Sequence, residues 1–305
     1  MLRAQGLTKR FGTRVAVEGL TFEVRAGEAV GFLGPNGAGK TTTLRLLTGF
    51  LPPDEGRAEV FGVDVAEDPV AARRKLGYLH EDNPLYEELE VTDSLHFAAR
   101  LHGLHDDAQR HSRVKDALKR CGLKPVIGRR VWELSKGFRQ RLGLAQAIVH
   151  DPEALILDEP TSGLDPNQMA EVRGLIAELK AKKTVLLSTH QLAEAEASCD
   201  RVLIVHQGRI VAEGAPAELR ASAAGRALRV VLKAPADEAL RALSALPGAA
   251  SCRDEIEAFV LESEAGTDLR EAVFELAAAR RWPILHLSEE RPSLEALFKR
   301  LTQQP

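Results

Sequence analysis

The sequence predicts an α/β fold followed by a smaller α+β unit, and three observations predict it. Gly34-Pro35-Asn36-Gly37-Ala38-Gly39-Lys40-Thr41-Thr42 joins the apolar run Ala29-Val30-Gly31-Phe32-Leu33, which reads as a buried strand, to Leu44, Leu46 and Leu47, which fit the opening of a helix. Two more apolar runs, Ala154-Leu155-Ile156-Leu157 and Thr184-Val185-Leu186-Leu187-Ser188-Thr189, have the length and flanks of buried strands. Finally, 305 residues that are 44% apolar suit two domains better than one. An Ala-rich stretch with Gly and Ser, residues 215–225, reads as the linker, so the domains are expected at about 1–220 and 221–305.

Taken in order, residues 1–30 alternate and turn like short antiparallel strands, with turn signals at Gly12-Thr13 and Ala26-Gly27-Glu28. Pro52-Pro53-Asp54-Glu55-Gly56 leads into a second hairpin-like segment. Lys75-Leu76-Gly77-Tyr78-Leu79 is a short strand, followed by the acidic loop His80-Glu81-Asp82-Asn83-Pro84. The pattern then turns helical, with Thr92 as an expected N-cap, Leu95, Phe97, Ala98 and Leu101 in a first helix, and a second helix over residues 107–120. The helical block, about residues 82–150, reads as a subdomain inserted into the α/β pattern. Its last member is an apolar helix over residues 142–149. His102 and His105 have a helical ligand spacing, but Gly103 lies between them and no carboxylate pattern supports a metal site. Gln207-Gly208 between two apolar runs reads as a hairpin turn.

After residue 220, expected strands at 228–232, 249–253, 256–261 and 284–287 alternate with helices at 237–246 and 268–281, and a last helix spans 293–301. The order βαββαβ suggests a ferredoxin-like unit. No chemistry-bearing motif falls in it, so stabilisation and dimer contact or regulation stand as equal readings.

The chemistry concentrates before that tail. G-x-x-x-x-G-K-T between strand and helix is a phosphate-binding loop, whose glycines let backbone N–H groups converge on concentrated negative charge. The bland alternative is an ordinary Gly-rich turn, which leaves Lys-Thr in register unexplained. Lys40 can reach β- and γ-phosphates, and the Thr41 hydroxyl can hold Mg²⁺. Asp158 and Glu159 end a buried strand, where a carboxylate faces the ligand crevice of an α/β sheet. Asp158 suits a Mg²⁺ contact, and Glu159 could polarise an attacking water. His190 lies just past another core strand at the same sheet edge. Ser135 and Gly137 sit at a helix N-terminus, a second anion site or simply an N-cap. Phe11, before Gly12, is either a core side chain or a flat surface for a base to stack on. The acidic loop holding Glu81 is either solvated surface or an approach to a metal–nucleotide site.

The bulk numbers close off other classes. A net charge of −3 and a pI near 6.3 give no sign of a nucleic-acid-binding surface. Cys121, Cys199 and Cys252 are scattered, offering neither a disulfide framework nor a metal spacing, and suit a reducing cytosol. The first ten residues lack the apolar run of a signal peptide, and no stretch approaches about 18 consecutive apolar residues.

In this order the motifs resemble the ATP-binding subunits of ABC transporters, over about residues 1–220. Gly34 to Thr42 match the Walker A loop, Leu134 to Phe138 the signature, and Leu155 to Glu159 Walker B. Gly163-Leu164-Asp165 match the D-loop, His190 the switch histidine, and Phe11 the aromatic that stacks adenine. Two positions depart from the family pattern. Glu81 stands where a glutamine is usual, and Lys136 and Phe138 replace a Gly and the Gln of the signature. Both departures look like the gliding-motility, sodium-efflux and multidrug branch of bacterial exporters. The resemblance implies ATP and Mg²⁺ as cofactors, with Thr41, Asp158 and Glu81 serving the metal. It implies Glu159, His190 and Lys40 as the catalytic set, and Ser135, Gly137 and Asp165 as contacts to ATP held by a second copy. It further implies a homodimer formed on ATP, a separate membrane-spanning permease, no nucleic-acid partner, and a cytoplasmic protein peripheral on the inner face of the membrane. The alternative is a soluble ABC ATPase acting on ribosomes or DNA. Such chains usually carry two cassettes or a long coiled coil, and neither pattern is present here. A small-molecule P-loop kinase leaves the signature, Asp165 and His190 without purpose.

Overall fold

Alternating apolar residues build the first layer. Strands β1 (Leu2–Phe11) and β2 (Arg14–Val24) pair antiparallel across a turn in which Gly12 takes φ 61°. The computed structural model describes residues 1–222, 227–255, 258–263, 267–290 and 294–302. Next come β3 (Ala29–Leu33), buried along its whole length, and helix α1 (Lys40–Leu47). Strands β4 (Glu55–Val60) and β5 (Val63–Asp64) complete a four-stranded sheet in the order β2-β1-β4-β5.

Helix α2 (Pro69–Arg74) leads into β6 (Leu76–Leu79). The helical block follows as α3 (Val91–Leu101), α4 (Asp107–Arg120) and α5 (Lys136–Ile148). Thr92 is not the cap of α3. The cap position is Glu90, and Thr92 lies inside the helix with its hydroxyl donating to the Ile127 carbonyl at 3.3 Å. Helix α5 also starts earlier than its apolar run, because Ser135 caps it.

The second layer consists of β7 (Ala154–Asp158), α6 (Pro166–Lys180), β8 (Thr184–Thr189), α7 (Leu192–Ser198), β9 (Arg201–His206) and β10 (Arg209–Gly214). Its sheet runs β10-β9-β3-β8-β7-β6 and is parallel from β9 to β6. Strands β3, β7 and β8 are buried throughout, as parallel strands covered on both faces must be. The β9–β10 hairpin turns on Gln207 and Gly208, both at positive φ (48° and 78°), which matches the right-handed twist of the strands it joins. One core, including Leu2, Phe22, Phe32, Leu44, Leu47, Ile156 and Leu203, welds α1 and both sheets together.

The expected linker is helical in its first part, as α8 (Pro216–Ser222). Proline suits a first helical position, and Ala, Glu and Leu are good helix formers in the positions after it. Gly225 lies outside the described residues. The chain divides into compact units Met1–Pro216 and Ala217–Pro305.

The second unit contains β11 (Ala227–Leu232), α9 (Ala236–Ser244), β12 (Ala249–Glu255), β13 (Ala258–Ser263), α10 (Arg270–Arg280), β14 (Ile284–Glu290) and α11 (Leu294–Thr302). Its antiparallel sheet, β12-β13-β11-β14, has the order of a ferredoxin-like βαββαβ unit. Leu228, Val230, Phe259 and Leu261 bury one sheet face against Ala239, Leu243 and Val273 of the helices. Ile256 and Ser293, expected in a strand and in the last helix, lie outside the described residues.

Candidate functional site

The site forms where β3, β7 and β8 end side by side. The loop after β3 needs its glycines for space. A Cβ at Gly34 would meet the Val205 carbonyl oxygen at 2.5 Å, and one at Gly39, where φ is 104°, would meet that of Ala16 at 2.4 Å. The loop's lysine is turned back on it. Lys40 Nζ donates to the Gly34 carbonyl at 2.7 Å and lies 3.4 Å from Glu159 Oε1, with both side chains almost wholly buried.

Asp158 ends β7 fully buried. Its Oδ1 accepts from Ser188 Oγ at 2.5 Å and from Thr41 Oγ1 at 3.4 Å, while Oδ2 is buried without a partner. An anionic oxygen left without a donor, beside a threonine hydroxyl, is the kind of oxygen pair a hard divalent cation takes up. The residues present therefore fit Mg²⁺.

Glu159 has φ 48°, in the left-handed region that a branched or long side chain rarely visits. Its N–H reaches the carbonyl and the hydroxyl of Ser188 at 3.2 and 3.1 Å, which turns the side chain into the crevice. There its Oε2 lies 2.8 Å from Nδ1 of the half-exposed His190. Lys40, Thr41, Asp158, Glu159 and His190 thus converge, and Pro35, Asn36, Gly37, Gly39 and Thr42 complete the loop around them. Phe11, 50% exposed, and Glu81 line the same cleft of about 460 Å³. Ala38 is buried beneath the loop, its carbonyl accepting from the Gly208 N–H at 2.9 Å. Phe11 is accordingly a surface side chain and not a core one.

Ser135, Gly137 and Asp165 are not part of this cleft. Ser135 Oγ caps α5, accepting from the Phe138 N–H at 3.5 Å. The Asp165 carboxylate caps α6, accepting from the Asn167 and Gln168 N–H groups at 3.0 Å each. Gly137 packs on Gln168, whose Cδ would lie 2.7 Å from an added Cβ.

Two participants carried no sequence signal strong enough to single them out. Ser188 holds Asp158 only because β7 and β8 pair in the register Asp158↔Ser188. Arg14 lines the cleft beside Gly37, and its place two residues past Gly12 was the one available hint.

The family model for "ABC transporter" matches residues 17–162. The Nod factor export ATP-binding protein I of Burkholderia lata is 38% identical over 261 residues, covering 85% of this chain and 81% of that one. The chain belongs to the ABC transporter family. A probable multidrug ABC transporter ATP-binding protein, YbhF of Escherichia coli, is 41% identical over 227 residues; the match covers 73% of this chain and spans 39% of that longer relative. Among solved structures, an ATP-binding subunit of an ABC transporter superposes with a TM-score of 0.67 at 34% identity, covering 73% of this chain and 92% of its own. ABC ATP-binding subunits are ATPases. Among the described residues, no helix of this ABC protein is long and apolar enough to cross a membrane.

Proposed function

We propose that this chain is the ATP-binding and hydrolysing subunit that energises a membrane exporter through ATP-driven, head-to-tail pairing of two copies. One observation carries the reading. Lys40, Thr41 and Glu159 line one cleft and Asp158 and His190 bond to them, while Ser135 and Asp165 stand exposed outside it at helix N-termini. A phosphate in that cleft has cations and N–H groups on one side only, and a second copy turned head to tail would present its Ser135–Gly137 turn to the other.

In this mechanism Phe11 stacks the adenine and the loop N–H groups cradle the phosphates. Lys40 leaves the Gly34 carbonyl for the phosphate oxygens. Thr41 and Asp158, with Glu81 at the cleft wall, would hold Mg²⁺, which supplies charge neutralisation on the phosphate oxygens. Glu159 orients and polarises the attacking water, and His190 steadies Glu159 and contacts the γ-phosphate. Binding in two half-sites glues the pair shut, and hydrolysis removes the glue. Phosphoryl transfer needs little more than such positioning and electrostatics.

The permease would be a separate chain docking against the helical block, with this subunit peripheral on the cytoplasmic face. A groove between β6 and the helices supports that site, since Phe50 and Leu101 line it at 67% and 71% exposure. The relatives' names, export and multidrug transport, support the direction. Glu159→Gln should bind ATP with unchanged affinity, lose at least about a hundredfold in turnover, and accumulate an ATP-bound dimer in analytical ultracentrifugation. Turnover at the wild-type rate in that variant would sink the assignment.

A further inference from the structure

Behind the Glu159–His190 contact lies a carboxylate with no role so far. Glu194, in the first turn of α7, is fully buried. Its Oε1 accepts from the Thr161 hydroxyl at 2.8 Å and its Oε2 from the Thr189 hydroxyl at 2.6 Å. Thr189 Oγ1 in turn accepts from the Gln191 N–H at 3.0 Å. Thr161 lies two residues after Glu159, and Thr189 immediately precedes His190. One side chain therefore ties together the two loops that carry the reacting pair.

Burying a carboxylate is costly. Burial pushes the Glu194 carboxyl above its usual range, against the pull of the two threonine hydroxyls and the nearby Arg173. An apolar side chain would fill the same space without that cost, so the buried acid calls for a reason. The geometry supplies one. Glu159 sits at a left-handed φ that persists only where its surroundings over-determine it. His190 leaves a different strand, half exposed, and must still meet Glu159 at 2.8 Å.

We infer that Glu194 is a positioning residue for hydrolysis: through Thr161 and Thr189 it holds the Glu159 loop and the His190 loop in the register that keeps the pair in contact. The inference rests on the proposed roles of Glu159 and His190, and it adds a residue to them.

The test is steady-state ATP hydrolysis by the full chain and its variants, with rates normalised to the fraction of molecules that bind a non-hydrolysable ATP analogue. Glu194→Gln keeps the shape and removes one acceptor. Its kcat should fall about tenfold or more, while KM for ATP stays within about twofold, because misplacement is felt at the reacting atoms and the phosphate loop is untouched. Thr161→Val and Thr189→Val should each lose part of kcat. Adding either to Glu194→Gln should cost little more, since all three act through the same tie. A folded Glu194→Gln with wild-type kcat overturns the inference. So does a variant that only melts earlier, with kcat per competent molecule intact. If Glu194→Gln does not fold, the threonine variants decide, and wild-type kcat in both overturns it. Failure of the functional reading itself looks different, because there Glu159→Gln would keep turning over.

Discussion

Gly39 shows how narrowly a single position is specified. Its φ of 104° suits glycine, and a Cβ there would lie 2.4 Å from the Ala16 carbonyl oxygen. Gly37, at φ 82°, would meet only the Arg14 guanidinium, at 3.5 Å. Gly39→Ala should therefore destabilise by roughly 2 kcal/mol or more, combining backbone strain with a backbone clash. Gly37→Ala should cost about 1–2 kcal/mol, from the strained conformation alone. Denaturant unfolding checks the order, and equal losses would show that the Ala16 contact does not set the cost. The loop was legible in sequence because its demand for small residues is local. The environment of Asp158 was not, since the hydroxyl that holds it comes from Ser188, thirty positions along the chain.

Elements are joined by polar ties as well as by apolar packing. Asp151, in the turn between α5 and β7, takes φ 57° and binds Lys183 Nζ at 2.7 Å and Arg113 of α4 at 3.0 Å. Lys183, nearly buried just ahead of β8, also donates to the Pro152 carbonyl at 2.6 Å. The hydrogen bond from Lys183, opposed by burial and reinforced by Arg113, holds the Asp151 carboxyl below its ordinary value of 3.8. A lowered carboxyl stabilises the fold above its unfolded value, and that contribution fades as pH falls through the folded one. Asp151→Asn suits the same backbone and removes only the charge. It should melt below the wild type at pH 7, by about 1 kcal/mol or less for so solvated a pair. The gap should be full above pH 3.8 and narrow steadily as pH falls below it. A gap that does not narrow at all on acidification would mean that geometry, not charge, makes the tie. Thr92 illustrates what local reading misses among elements: it looked like a cap, yet its hydroxyl was drawn to Ile127 once α3 packed against the following loop.

On the scale of the whole molecule, each unit has its own core. The proposed nucleotide cleft draws every lining residue from the first unit. A chain ending at residue 216 should therefore fold and bind ATP with a Kd within about twofold of the full chain, as compact domains with separate cores allow. Fluorescence titration checks this. Loss of binding in a folded truncation would show that the second unit shapes the cleft.

The sequence by itself determined what local pattern and chain order carry: the phosphate loop, the buried parallel strands, the Gln207-Gly208 hairpin and the βαββαβ order of the last unit. Each follows from backbone sterics or from a period of 2 or about 3.6 residues, which neighbours in the chain suffice to express. Tertiary structure alone decided which distant side chains touch. It set Asp158 against Ser188, brought Glu159 to His190, threaded Glu194 between Thr161 and Thr189, and left Ser135 and Asp165 outside the cleft. Strand register and helix packing choose those partners, and no spacing along the chain records that choice.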